Sequence, residues 1–470
     1  MDSPDPEAPW AERRRRVRPP PRRYALGMQM HLPRAVRLPA GLIAALVALL
    51  LLAALDVASH LRPSSHQLDG WTAFDGGPSH NAVVSPTAGS GQRFFTKLPG
   101  GVVGGLSWAG GVLYGGGLDG SVFAMSARSG KLLWITHLPN SVFCPPSVVG
   151  SRVFVGIGND IFSSMRGSAW IRGTPPSGVY ALDRKTGRIL WSVPTVGNDK
   201  TTPLYDPATK LLYEPDGSHW LRAIRPATGK VVWRVYDGGI NDFSNPALVG
   251  GVLYIDTGMP GHPGLRAFSA RTGRHLWTLD STNADNAPTL GAGDLLAVNT
   301  LPVTIHGKQL LREVFRGVSL TGQPLWSYTT APGPYPPAYQ APAATFAGGS
   351  FYVASSIRSR LYAFSARTGR LLWKAKLSGP AYDNPAVLAG EVVVATVSGR
   401  LYALRRSDGQ PLGSVQLPGT VGAGGILIAH NTVYVGLIRG TAAQIVSGGA
   451  PSGGVAAVPL SQLTAASPGR

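Results

Sequence analysis

Ala181-Leu182-Asp183-Arg184-Lys185-Thr186-Gly187-Arg188-Ile189-Leu190-Trp191 holds the pattern that decides the fold: a Ser/Thr-Gly pair with tryptophan four residues after the glycine. The pattern recurs from Ser129-Gly130 to Trp134, Thr228-Gly229 to Trp233, Thr272-Gly273 to Trp277, Thr321-Gly322 to Trp326 and Thr368-Gly369 to Trp373. A seventh copy, Asp408-Gly409 to Gly413, has lost its tryptophan. Successive last positions lie 57, 42, 44, 49, 47 and 40 residues apart, a spacing that marks propeller blades or a similar array.

Each copy has the same surroundings. An apolar run such as Val179-Tyr180-Ala181-Leu182 or Leu361-Tyr362-Ala363-Phe364 precedes the glycine, and a second run ending in tryptophan follows it. Two such runs joined by a polar turn ending in glycine read as a β-hairpin, the glycine supplying the positive φ of a tight turn. A further hairpin lies upstream in most copies, as in Ala247-Leu248-Val249, Gly250-Gly251, Val252-Leu253-Tyr254-Ile255. Four strands per unit with no helical period between them is the content of one blade.

The expected fold is therefore all-β, an eight-bladed β-propeller, with seven blades as the alternative. The C-terminal segment offers three strands, at Ile426-Leu427-Ile428, Val433-Tyr434-Val435 and Val455-Ala456-Ala457-Val458. The fourth comes from the other end, where Ser90-Gly91-Gln92-Arg93-Phe94-Phe95 repeats the glycine-plus-four spacing and puts Phe95 in the tryptophan place. Such closure hides two open edges. Trp134, Trp191, Trp233, Trp277, Trp326 and Trp373 are expected to wedge between blades, because a residue needed at every interface is not special to one site.

Residues 1–39 hold nine arginines against four acids, with prolines throughout, and read as a disordered basic cytoplasmic tail. Ala40 to Leu55 is unbroken apolar sequence, so 40–58 is expected to be a single transmembrane anchor or uncleaved signal. The flanking arginines place the propeller on the extracytoplasmic side of the cytoplasmic membrane. Residues 59–89 read as linker and lead-in, 90–460 as propeller and 461–470 as a disordered tail. Beyond residue 39 the charge is still about +14 of the chain's +19, which favours anionic partners. The expected partners are the membrane, through the helix, and a protein or anionic envelope component; nucleic acid is not expected there. The lone Cys144 excludes an intrachain disulfide.

The string from Ala181 to Trp191 resembles the docking motif of the pyrroloquinoline-quinone (PQQ)-type β-propeller repeat family, and Trp71-Thr72-Ala73-Phe74-Asp75-Gly76-Gly77 is similar to the segment that opens such domains. Other copies depart from it, with Ser126, Arg225, Ser269, Ser365 and Arg405 in the place of Asp183. The resemblance covers roughly residues 70–460. It implies the propeller, and it implies either a quinoprotein alcohol or sugar dehydrogenase or a non-enzymatic scaffold, like the scaffold lipoprotein of the outer-membrane β-barrel assembly machine. A quinone dehydrogenase needs a cation held by carboxylate and amide oxygens, a carboxylate base and a planar floor. With Cys144 alone, the ring-stacking pair of adjacent cysteines found in many such enzymes cannot form.

One polar constellation recurs at the blade junctions. Asn241, Asp242 and Asn245 precede Pro246; Asp285 and Asn286 precede Pro288; Asp383 and Asn384 precede Pro385; Asn198, Asp199 and Lys200 precede Pro203. Each linker returns from an outer strand to an inner one, so these side chains should gather near one mouth of the channel. There they would hold Ca2+ or a polar ligand, or serve as turn residues that bond their own backbone. The function expected is a membrane-anchored scaffold or binding module with no catalytic residues and no cofactor. The alternative is a quinoprotein-like oxidoreductase using PQQ and Ca2+ at the channel mouth.

Overall fold

The computed structural model describes residues 70–71, 76–77, 79–80, 82–83, 92–164, 170–241, 244–280, 286–335, 343–382, 384–440 and 451–464. The expected tail and anchor, residues 1–58, lie outside them. Among the described residues no helix is long and apolar enough to cross a membrane.

The period-two apolar runs form antiparallel sheets in which sequence order is spatial order. Leu106–Ala109, Val112–Gly116, Ser121–Ser126 and Leu132–His137 make blade 1, from innermost to outermost strand. Blades 2 to 7 repeat this, their innermost strands being Ser147–Val149, Leu204–Asp206, Ala247–Val249, Thr289–Gly291, Ala344–Ala347 and Ala386–Val387. Third strands such as Ser121–Ser126 are buried on both faces, while outermost strands alternate between half-buried and exposed. Blade 8 consists of Leu427–Ala429, Thr432–Ile438, Gly453–Pro459 and, from the other end of the chain, Phe94–Leu98. There are eight blades, not seven.

The closing strand corrects one residue. In blades 1 to 7 the register between third and fourth strands shifts by one residue just before the turn, as at Ala124/Met125, which puts Ala124 opposite Trp134. The strand Phe94–Leu98 pairs without that bulge, so counting four from a glycine overshoots by one. Phe94, not Phe95, lies opposite Ala457 and 6.2 Å from the Tyr434 ring, as Trp134 lies 6.2 Å from Tyr114.

Two rings of contacts join the blades. In the outer ring each tryptophan lies flat against the turn glycine of the next blade. A Cβ on Gly187 would fall 2.6 Å from the Trp134 ring and one on Gly369 2.4 Å from Trp326, and both glycines have positive φ. The indole N–H then donates to that blade's backbone: Trp134 to Arg184, Trp191 to Pro226, Trp277 to Leu320, Trp326 to Ala366 and Trp373 to Arg406, at 2.8–3.1 Å. In the inner ring Ser107, Ser147, Thr289 and Thr345 donate their hydroxyls to the carbonyls of Pro146, Pro203, Ala344 and Pro385 of the following blade.

Where blade 7 has Gly413 in place of tryptophan, the chain does something else. Blade 8 cannot turn from third to fourth strand, because its fourth strand comes from the N-terminal side. Instead Pro459 leads into a short helix, Leu460–Thr464, whose Leu463 is fully buried against the outer strands of blade 7. The stretch expected as tail thus begins as a packed element. Residues 465–470 lie outside the described residues.

Candidate functional site at the acid-lined mouth

Strand alternation sends the turns between second and third strands, and the linkers between blades, to the same mouth of the propeller. In blades 2 to 4 that mouth gathers carboxylates. Asp199 comes from the linker before blade 3, Glu214 from its second strand, Asp216 from the turn that follows and Asp237 from the linker after it; all four are buried. Arg222, the register partner of Glu214, makes an ion pair with Asp216. Asp216 also accepts from the Ser218 amide at 2.8 Å, its hydroxyl at 2.9 Å and the Trp220 amide at 3.1 Å.

Arg222, with Arg266 beside Asp237, leaves an excess of acids out of water, and three of the carboxyls are pushed upward. Burial first, and the Asp216 charge second, push the Asp199 carboxyl well above the usual range. Burial and then Asp199 do the same to Glu214. Burial and then Asp216 raise Asp237. One oxygen of each of these three, together with the amide oxygen of Asn241, is buried with no hydrogen-bond donor. Their other oxygens are engaged: Thr195 donates to Asp199, Thr201 to Glu214 at 2.8 Å and Asn241 to Asp237 at 2.6 Å.

Of the junction residues singled out in the sequence, Asp199 and Asn241 reach this cluster. Asn245 and Asn384 do not. They accept from the backbone of the neighbouring linker, at Thr202 (2.6 Å) and Ala343 (2.8 Å), and so stitch one blade junction to the next. Asn286, with its amide oriented to satisfy both sides, bridges Val298 and the carboxylate of Asp256. Asp242, Asp285 and Asp383 lie outside the described residues. Sequence reading missed Glu214, Asp216, Asp237 and Arg222. The signal was there in the Glu214/Arg222 pairing of adjacent strands, but no local spacing announces a cross-strand pair.

Two further features shape this mouth. Blade-to-blade linkers are short, yet blades 2 and 5 extend their central turns, with the added hairpin Phe162–Ser164/Trp170–Arg172 in blade 2 and twelve-residue strands Asp294–Ile305 and Lys308–Ser319 in blade 5. Beside them the buried Lys200 pairs with Asp160, which also meets Arg172 at 3.2 Å. The lead-in segment then runs over the innermost strands: Ser79 accepts from Leu290 of blade 5, His80 bonds the Pro288 carbonyl at 2.9 Å, and Ala82 accepts from Val387 of blade 7. Burial lowers the His80 imidazole to about 4, so it sits there neutral.

Among the described residues no three His, Cys, Asp or Glu side chains are placed to hold a metal ion. The single cysteine is buried and cannot form a ring-stacking disulfide.

The family described as outer membrane protein assembly factor BamB matches in three overlapping stretches, residues 79–235, 175–313 and 307–458. A tetrathionate hydrolase of Acidithiobacillus ferrooxidans is 26% identical over 347 residues, covering 69% of this chain and 68% of the relative. An outer membrane protein assembly factor BamB of Burkholderia pseudomallei is 24% identical over 339 residues, covering 69% of this chain and 79% of the relative. Among solved structures, the quinohemoprotein alcohol dehydrogenase of Comamonas testosteroni shares the fold, with a TM-score of 0.62 at 13% identity over 85% of this chain and 82% of that one.

Proposed function

Because the chain belongs to the family described as outer membrane protein assembly factor BamB, we propose that it is a membrane-anchored binding module that holds a protein or anionic envelope partner and catalyses no reaction. Residues 40–58 anchor it, residues 1–39 stay in the cytoplasm and the propeller stands on the extracytoplasmic side. The observation that carries this reading is the channel mouth: the chain's own residues Ser79, His80 and Ala82 bond to the innermost strands of blades 5 and 7 and the residue before one of them, and the acids nearby are buried. What the propeller offers to its surroundings is its broad rim, with apolar side chains such as Leu133, Val232, Leu325 and Leu372 exposed on outermost strands. Exposed apolar groups set in a polar surface suit a protein partner. The excess of basic residues favours one that is acidic.

A second reading places chemistry at the acid cluster, and the raised carboxyls of Asp199, Glu214 and Asp237 favour it, since protonated buried acids can serve as general acids. Its forms are an oxidoreductase taking PQQ and Ca2+, or a hydrolase acting on tetrathionate as the relative's name says. Photo-crosslinking of the full chain in its native membrane, with probes on each blade rim, tests the first reading. One discrete partner captured at a defined rim is expected. Absence of any crosslink together with turnover of alcohol, sugar or tetrathionate sinks it in favour of the second.

A further inference from the structure

The outermost strands are edges, and seven of the eight are defended. An edge strand offers unpaired N–H and C=O groups to any extended chain, and proteins blunt it with charge, proline or disrupted geometry. Arg234, Asp280, Lys374 and Lys97 supply charge in blades 3, 4, 6 and 8; Pro194, Pro324 and Pro411 supply proline in blades 2, 5 and 7. Blade 1 ends in Leu132-Leu133-Trp134-Ile135-Thr136-His137, which among the described outermost strands alone has no proline, glycine or charged side chain.

The residue after the docking tryptophan makes the contrast sharper. It points away from the next blade, and blades 2 to 7 put Ser192, Arg234, Thr278, Ser327, Lys374 and Ser414 there. Blade 8 puts Phe95, which the Arg439 guanidinium covers at 5.2 Å. Blade 1 puts Ile135, 38% exposed, beside Leu133 at 54% and Leu132 at 36%. Around this edge basic side chains predominate, although the blade 2 turn that packs on Trp134 and Thr136 carries Asp183, whose carboxylate accepts from its own turn at Lys185 and Thr186. Arg93, Lys97, Arg128 and Lys131 are all exposed, and the one acid between residues 92 and 137 is Asp119, which is turned onto its own loop by Ser121.

We propose that the outermost strand of blade 1 is a strand-addition site for an extended segment of a partner protein, apolar at alternate positions and flanked by acidic side chains. Main-chain hydrogen bonds along Leu132–His137 supply the affinity, Leu133 and Ile135 read the apolar positions, and the surrounding lysines and arginines read the acidic flanks. This rests on the binding-module reading and names the surface and the chemistry of its partner.

The probe is a fluorescein-labelled peptide of alternating valine and threonine with glutamates at both ends, titrated against the full chain by anisotropy. Binding is expected, and Ile135→Lys should weaken it about tenfold or more, because a charge lands in the pairing edge. Leu372→Lys on blade 6 should leave it unchanged, and so should the melting temperature of either variant. Methylating alternate backbone nitrogens of the peptide, or exchanging its glutamates for lysines, should each weaken binding. No binding, or equal binding to wild type and Ile135→Lys, overturns the proposal. Crosslinks to a partner at another blade would overturn it too while leaving the binding-module reading intact.

Discussion

Blade 1 meets blade 2 through an indole laid on a glycine, with one N–H···O=C bond to lock it. Blade 8 meets blade 1 with the same two functions divided between two residues. The Phe94 ring lies on Gly130, and because phenylalanine has no N–H, the Tyr434 hydroxyl donates to the Ala127 carbonyl at 3.0 Å. Ala127 holds the position of Arg184, the acceptor for Trp134. At the seam of blades 7 and 8 even the ring is gone, and the helix Leu460–Thr464 packs there instead. The other seams share a flat apolar group on a glycine, and most add a donor for one buried carbonyl. Tryptophan meets both with one residue in five seams, whereas Trp233 lies on Gly273 with its indole N–H unpartnered.

This comparison can be broken at its strongest point. Trp191→Ala removes ring and donor together, and should cost about 3–5 kcal/mol in urea unfolding; an unchanged midpoint would show that the ring does not hold the blades. At the helix seam Leu463→Ala should cost about 2–4 kcal/mol. The seam of blades 5 and 6 adds a buried carboxyl to its indole. Glu313 accepts from the Ser356 amide at 2.9 Å, from its hydroxyl at 3.0 Å and from the Ser355 hydroxyl, yet burial pushes it up to about 7. A raised folded-state value means that the folded chain keeps this proton longer than the unfolded one. The stability it lends is full below the ordinary glutamate range and lost as pH rises through about 7. Relative to Glu313→Gln, the wild type should thus lose about 2–3 kcal/mol between pH 4 and 8, with the sign reversed if the carboxylate were the stabilised form. The smallest effect sharpens the comparison most. Tyr434→Phe strands the Ala127 carbonyl and should cost about 1–2 kcal/mol. Tyr254→Phe should cost less, since Trp277 already serves the Leu320 carbonyl that Tyr254 reaches at 3.3 Å.

The fold was legible because each turn carries one half of two seams, a glycine that receives the tryptophan of the blade before and, four residues on, a tryptophan that lies on the glycine of the blade after, so one short spacing marks every blade. It was misread by one residue at Phe95 for the same reason: the closing hairpin is not continuous, and the bulge that sets the spacing elsewhere is missing. The helix at Leu460 had no pattern of its own to announce it. The acid cluster was half legible. Asp199 and Asn241 stood out beside proline in repeated linkers, while Glu214, Asp216 and Asp237 become neighbours only when strands of blade 3 pair and its linkers fold under. Asn245 and Asn384, which looked the same in sequence, turned out to bond backbone across linkers. Local spacing cannot tell a side chain that faces the mouth from one that ties it shut.

The most direct test of the binding-module account is to mix the full chain with PQQ and Ca2+ and record its absorption spectrum, melting temperature and dye-linked oxidation of alcohols and sugars, with tetrathionate breakdown followed alongside. The account predicts no bound chromophore, no melting shift and no turnover. A bound chromophore with turnover, or tetrathionate consumed at a rate that falls in Asp199→Asn, would contradict it and make the acid-lined mouth an active site.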